Sequence, residues 1–143
     1  MKLLLDTHIW LWLLDNSRKL NRQVLRRLQD QQNELWLSPI STWEVLTLHH
    51  KGRIQLQGDL SEWVVKAITG TNEAPITQEI AFAARQLPLH QDPADRLIAA
   101  TAMVLNLTLV TADERLWVLG NIKTLANRRL RPARHRIPPA LLC

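Results

Sequence analysis

Asp6, Glu44, Asp95 and Asp113 are the residues on which chemistry is most readily built. Each stands at the start of a helix or just after a strand in the local pattern. In a parallel α/β sheet such positions gather along one edge, where sites are usually assembled. Four carboxylates in one cleft are unfavourable when left alone. At an effective dielectric of ~20, two charges 5 Å apart repel by roughly 3 kcal/mol, and several such pairs raise at least one pKa. A divalent cation removes that conflict. Oxygen-only ligands with no cysteine nearby favour a hard ion, Mg²⁺ or Mn²⁺. An ion so held can lower the pKa of a bound water and stabilise charge on phosphate oxygens. The chemistry implied is phosphodiester hydrolysis without a protein nucleophile.

The elements that must position these acids follow from the pattern of the chain. Lys2 to Leu5 reads as a buried strand ending in Asp6, with a helix over Thr7 to Leu14. Asn21 caps a second helix reaching about Gln32, and Leu35 to Leu37 is a second strand. Ser38-Pro39 opens a third helix, roughly Ile40 to Lys51, in which Ile40, Trp43 and Thr47 share a face and Glu44 borders it. A fourth helix is expected over Leu60 to Thr69, a short strand over Glu73 to Ile76, and a fifth helix over Thr77 to Gln86. Asp92 is an N-cap with Pro93 at the first helical position. The helix they open runs to Asn106, which suits a left-handed close. Leu107 to Val110 is a strand, Ala112 to Val118 a short helix or turn, and Asn121 to Leu125 a last edge strand. Alternating strands and helices imply a three-layer α/β/α fold around a central parallel sheet.

Charge divides the chain. Residues 121–143 carry six basic groups and no acid, +6, whereas the first 120 hold 12 basic and 13 acidic groups, −1. A domain over 1–125 and a basic, irregular tail over 126–143 are expected, the tail suiting nucleic acid or an acidic protein surface. The single cysteine, Cys143, excludes an internal disulfide. No apolar run is long enough to span a bilayer. Asp6 and His8 break the apolar start and no small-residue cleavage site follows, so a cytoplasmic protein is expected.

The segments LLLDTHIWLW, SPISTWEV, DPADRLIAATA and LTLVTADERL occur in that order. Together they resemble the acidic motifs of PIN-domain ribonucleases, in particular the VapC-type toxins of bacterial toxin–antitoxin pairs, over about residues 2–125. The resemblance implies a Mg²⁺- or Mn²⁺-dependent endoribonuclease, often a homodimer, with RNA as substrate and a cognate antitoxin that inserts into or covers the site. Motif by motif it assigns the metal-binding and catalytic acids to Asp6, Glu44, Asp95 and Asp113. Asp92, Thr7 and Thr111 fall beside them as supports for the ligands and their waters. Arg96, Arg128, Arg129 and Arg131 are candidate contacts to RNA. The arginine-rich tail beyond Leu125 departs from the family pattern.

The plainer readings are that Asp6 and Asp92 are helix caps, that Glu44 is a surface glutamate, and that His8 and most of the six tryptophans are packing groups. A non-catalytic binding module with the same fold is an alternative function. An aspartyl-phosphate phosphatase is another, but it wants a second aspartate where His8 stands.

Overall fold

The computed structural model describes residues 1–89 and 91–128. Its elements follow the chain as β1 (Lys2–Leu5), α1 (Thr7–Leu14), α2 (Arg22–Gln29), β2 (Glu34–Leu37), α3 (Pro39–His50), α4 (Leu60–Ile68), β3 (Thr71–Glu73), α5 (Gln78–Gln86), α6 (Pro93–Val104), β4 (Thr108–Thr111), α7 (Glu114–Trp117) and β5 (Thr124–Ala126). The strands form one sheet in the order β3-β2-β1-β4-β5, and every pairing is parallel. The expected three-layer α/β/α architecture is what the chain adopts.

The strands β1 and β4 are buried on both faces, which is why they lack polar alternation. In β1, Leu3 and Leu5 point into a core with Ile9, Trp10, Val24 and Val45 from α1, α2 and α3. Leu4, between them, points into the opposite core with Ile80, Ala84, Ile98 and Ala99 from α5 and α6. Leu109 and Val110 of β4 divide in the same way. The small residues Ala99, Ala100, Thr101 and Ala102 are almost fully buried and let α6 lie close against its neighbours. From β1 the chain runs outward through β2 and β3, then returns to lay β4 and β5 on the other side. The order therefore reverses between β1 and β4, and a crevice opens beyond the carboxyl ends of those two strands.

Several boundaries differ from the sequence pattern for local reasons. Helix α2 stops at Gln29 because Asp30 leaves helical geometry and its side chain accepts from Gln32 N at 3.0 Å. Strand β3 lies at Thr71–Glu73, earlier than expected. It starts directly after Gly70, whose φ of 85° turns the chain, and the expected strand contained Pro75, which has no N–H for a ladder. Helix α3 buries Ser41 and Val45 rather than Trp43, which is 61% exposed. The small Ser41 lets α3 approach α1, and its hydroxyl meets that of Thr7 at 3.0 Å. Asn106 does take the left-handed conformation, with φ of 54°.

The folded body passes the expected boundary at 125. Ala126 closes β5, and Asn127 is 2% exposed. Residues 129–143 lie outside the described residues. Among the described residues no helix is long and apolar enough to cross a membrane.

Candidate active site

Asp6 follows β1 directly and is held in place by its own backbone, whose N–H donates to Val110 O of β4 at 3.0 Å. One carboxylate oxygen accepts from Thr7 N at 2.8 Å, capping α1. The other accepts from the Thr111 hydroxyl at 2.6 Å, across the β1–β4 crevice. Asp6 is 8% exposed. Burial pushes its carboxyl above the ordinary value, the Thr111 bond opposes this, and the nearby charge of Asp95 adds to it.

Glu44 reaches the same place from the first half of α3. Its Oε1 accepts from the Thr7 hydroxyl at 2.6 Å. Thr7 has one hydroxyl proton, which goes to the carboxylate, so the buried Ser41 hydroxyl is left to donate to Thr7. Glu44 is also raised, first by burial, with the Thr7 bond opposing and then Asp95, Asp6 and Asp92 adding repulsion. Acids far apart in the chain thus sense one another's charge. This is the physical content of the acidic cluster.

Asp95 projects from the first turn of α6 with its side chain 19% exposed. Asp92 caps that helix, its Oδ1 accepting from Ala94 N at 3.0 Å and Asp95 N at 3.5 Å. Asp113 caps α7 and accepts twice from the Arg115 guanidinium, at 3.0 Å from Nε and 2.8 Å from Nη2. Arg115 Nη2 also stands 4.0 Å from Asp95 Oδ2. Thr111 links the two sides, because its Oγ1 accepts from Asp113 N at 3.0 Å while donating to Asp6. Asp6, Thr7, Glu44, Asp92, Asp95, Asp113 and Arg115 line one cleft of about 360 Å³, together with His8, Trp12 and Ala112.

The donor set suits a hard divalent cation. It is oxygen-only, and two of its carboxylates are pushed toward protonation by burial and by their neighbours' charge. Among the described residues no three side chains converge closely enough to hold an ion as they stand. Asp6 is held by Thr7 N and the Thr111 hydroxyl, Glu44 by the Thr7 hydroxyl and Asp113 by Arg115, so an ion would draw these carboxylates closer together than they stand.

Two residues that shape the site carry no motif signal of their own. Ser41 sits one helical turn before Glu44, and Arg115 two residues after Asp113, so position relative to the acids is the signal that could have found them. His8, read as a packing group, is exposed on the cleft wall with its ring 5.9 Å from that of Trp12.

Arg96, a candidate RNA contact from sequence, is engaged with backbone carbonyls. Its Nη1 donates to Ala84 O at 2.9 Å and Leu87 O at 3.0 Å, and its Nη2 to Leu89 O at 2.6 Å. The guanidinium therefore closes the end of α5 and the turn that follows. Arg96→Ala is expected to destabilise the fold by about 1.5–3 kcal/mol, the scale for hydrogen bonds to a charged group, with RNA affinity unchanged. Urea denaturation and RNA titration of the same variant check the two halves. Arg128 lies with its guanidinium carbon 5.3 Å from the centre of the Trp117 ring. Arg129 and Arg131 fall outside the described residues.

The family model described as PIN domain matches residues 3–120. Ribonuclease VapC22 of Mycobacterium tuberculosis is 34% identical over 115 residues, spanning 79% of this chain and 88% of that protein. Among solved structures, VapBC2 of Rickettsia felis bound to a DNA fragment from its promoter superposes with a TM-score of 0.67 at 18% identity, covering 88% of this chain and 98% of that one. A toxin–antitoxin complex from Klebsiella pneumoniae gives 0.61 at 22% identity, covering 87% and 97%. At such identities the structures speak to the fold.

Proposed function

The chain belongs to the PIN-domain family, in its VapC-type branch, and from that premise we propose that it is a Mg²⁺- or Mn²⁺-dependent endoribonuclease, the toxin of a toxin–antitoxin pair. The observation that carries the reading is the gathering of Asp6, Glu44, Asp92, Asp95 and Asp113 along one cleft at the reversal point of the sheet. Such an arrangement is maintained against its own electrostatics, as expected where a cation and a phosphate are to be handled.

Asp6, Glu44, Asp95 and Asp113 would hold the cation, which when bound supplies Lewis acidity and an acidified water. Thr111 fixes one Asp6 oxygen by donating to it, and Thr7 does the same for Glu44. Asp92 sets the first turn of α6 and hence where Asp95 emerges. With Asp6 and Glu44 raised, the ionised forms needed for a ligand grow with rising pH, so activity is expected to increase from the acid side toward neutrality. A pH–rate profile of RNA cleavage checks this.

The relative named as a ribonuclease supports RNA as substrate, and the solved toxin–antitoxin complex supports a cognate antitoxin as partner. On this reading the protein works in the cytoplasm with its RNA, as a homodimer on family grounds.

The test is incubation of purified, antitoxin-free protein with total RNA and a tRNA pool, under Mg²⁺, Mn²⁺ or EDTA, beside Asp95→Asn. Discrete cuts that need both the metal and Asp95 are expected. Cleavage that survives EDTA and Asp95→Asn alike would overturn the reading.

A further inference from the structure

Five carboxylates and one guanidinium line the cleft, so without its ion it repels a polyanion, and cations beside it add to the affinity for RNA. Resting on the ribonuclease reading above, we propose that the groove between the α1–α2 loop and the end of β5 is the seat of the RNA backbone on one side of the scissile bond.

The groove has a volume of about 990 Å³, and its cations are Arg18, Lys19, Arg22 and Arg128. All four are exposed, and none of the described residues lining the groove is acidic. Its floor is built in advance. Asn127, buried at the end of β5, accepts from Asn21 N at 2.8 Å and donates through Nδ2 to Lys19 O at 2.9 Å. Asn21 Nδ2 in turn donates to Arg128 O at 3.1 Å. Ser17 N bonds Trp12 O at 2.9 Å, and Asn16 turns the chain at φ 50°. Arg18 and Lys19 are thereby presented on a loop tied to the end of the sheet, beside Arg22 at the start of α2 and Arg128 after β5, which lowers the ordering cost of binding.

Trp12 joins the groove to the cleft. It lines the acidic cleft, and Lys19 Nζ lies 5.8 Å from the centre of its ring. A strand with one phosphate among the carboxylates therefore meets an aromatic surface next and the basic groove after it. Stacking on an aromatic ring and backbone neutralisation are the two ways a protein holds single-stranded RNA without reading sequence. That continuity with the cleft favours RNA over an acidic protein segment as the occupant.

The test is fluorescence anisotropy of a labelled single-stranded RNA of roughly 12 nucleotides against the full chain, in EDTA to prevent cleavage, over a range of salt. The triple variant Arg18→Ala/Lys19→Ala/Arg22→Ala is expected to bind about 10- to 30-fold more weakly at ~0.1 M salt. Its slope of log affinity against log salt should fall by about 2, at ~0.7 per phosphate contact on a single strand. A control of equal charge change away from the groove, Lys51→Ala/Arg53→Ala/Lys66→Ala, is expected to stay within about twofold of wild type. Arg22→Gln alone, with a slope change of about 0.7, serves if the groove triple does not fold. Equal losses in both triples, or none in the groove triple, overturn the proposal. So does a groove triple that binds RNA normally and loses its protein antitoxin. Wild type that binds RNA through the groove yet never cuts with Mg²⁺ or Mn²⁺ would uphold the groove and sink the nuclease reading.

Discussion

Asp6→Asn is expected to lower metal-dependent RNA cleavage by at least about 10²–10³-fold, the scale on which a single preorganised group facing transition-state charge is missed, and at the same time to stabilise the metal-free protein at neutral pH. The second half follows from linkage. Burial raises the folded carboxyl above the ordinary value of 3.8. Between 3.8 and the raised value the folded chain binds more protons than the unfolded one, so stability falls as pH rises. Above the raised value the penalty is complete and constant. Asparagine cannot ionise and escapes it. Its carbonyl oxygen keeps the bond from Thr7 N, and its amide donates toward Thr111 Oγ1, leaving that hydroxyl's proton to find another acceptor at a cost of about 1 kcal/mol. The net expectation is a melting temperature a few degrees higher than wild type at pH 7–8 in EDTA, the difference vanishing near pH 4, at about 3–4 °C per kcal/mol for a chain of this length. Thermal unfolding across pH, paired with the cleavage assay, reads both effects. A variant that loses activity but is less stable than wild type throughout would make Asp6 chiefly a helix cap.

Much of this site is legible in the sequence alone because its acids sit at positions that sequence marks strongly. Asp6 ends an unbroken apolar strand, Asp92-Pro93 announces a helix start, and Asp113 closes the second strand of the crevice. Once the strands are parallel, those ends must lie on one edge; Asp6, Asp95 and Asp113 come with them, and Glu44 reaches in from the second turn of α3. What sequence leaves dark depends on side-chain direction. The apolar pattern of α3 favours Trp43 as its core residue, yet the helix turns Ser41 and Val45 inward, because a small hydroxyl is what the approach of α1 requires. Arg96 stands beside Asp95 in sequence, but successive residues on a helix point about 100° apart. Its guanidinium runs back to the carbonyls after α5. The basic groove is invisible in sequence for a different reason. Its cations come from the α1–α2 loop, the start of α2 and the distant Arg128, and the contacts of Asn127 and Asn21 bring them together. The charge asymmetry of the chain draws attention to the tail, whereas three of the four groove cations belong to its near-neutral first part.

Mg²⁺ is expected to raise the melting temperature of the wild-type protein at pH 7–8 well beyond what sodium chloride of equal ionic strength achieves. An ion that binds the folded state alone stabilises it by about 2.7 kcal/mol at 100 times its dissociation constant, or roughly 8–10 °C here at 3–4 °C per kcal/mol. The gain should shrink as pH falls toward 4, because Asp6 and Glu44 are both shifted toward the protonated form and protons compete with the ion for their oxygens. On the proposed reading the candidate ligands are not equivalent. Both Asp113 oxygens engage the Arg115 guanidinium, so an ion drawing on Asp113 must compete with that cation. Asp6 and Glu44 face threonine hydroxyls instead, and the carboxylates around them repel them. Asp6→Asn is therefore expected to abolish most of the Mg²⁺-induced shift and Asp113→Asn to remove less of it. Arg115→Gln should move the Asp113 contribution upward by removing the competitor. Identical shifts from Mg²⁺ and ionic-strength-matched sodium chloride, in wild type and in Asp6→Asn alike, would mean that the carboxylates repel one another without gathering an ion, and the cleft would then lack the charge needed to receive a phosphate.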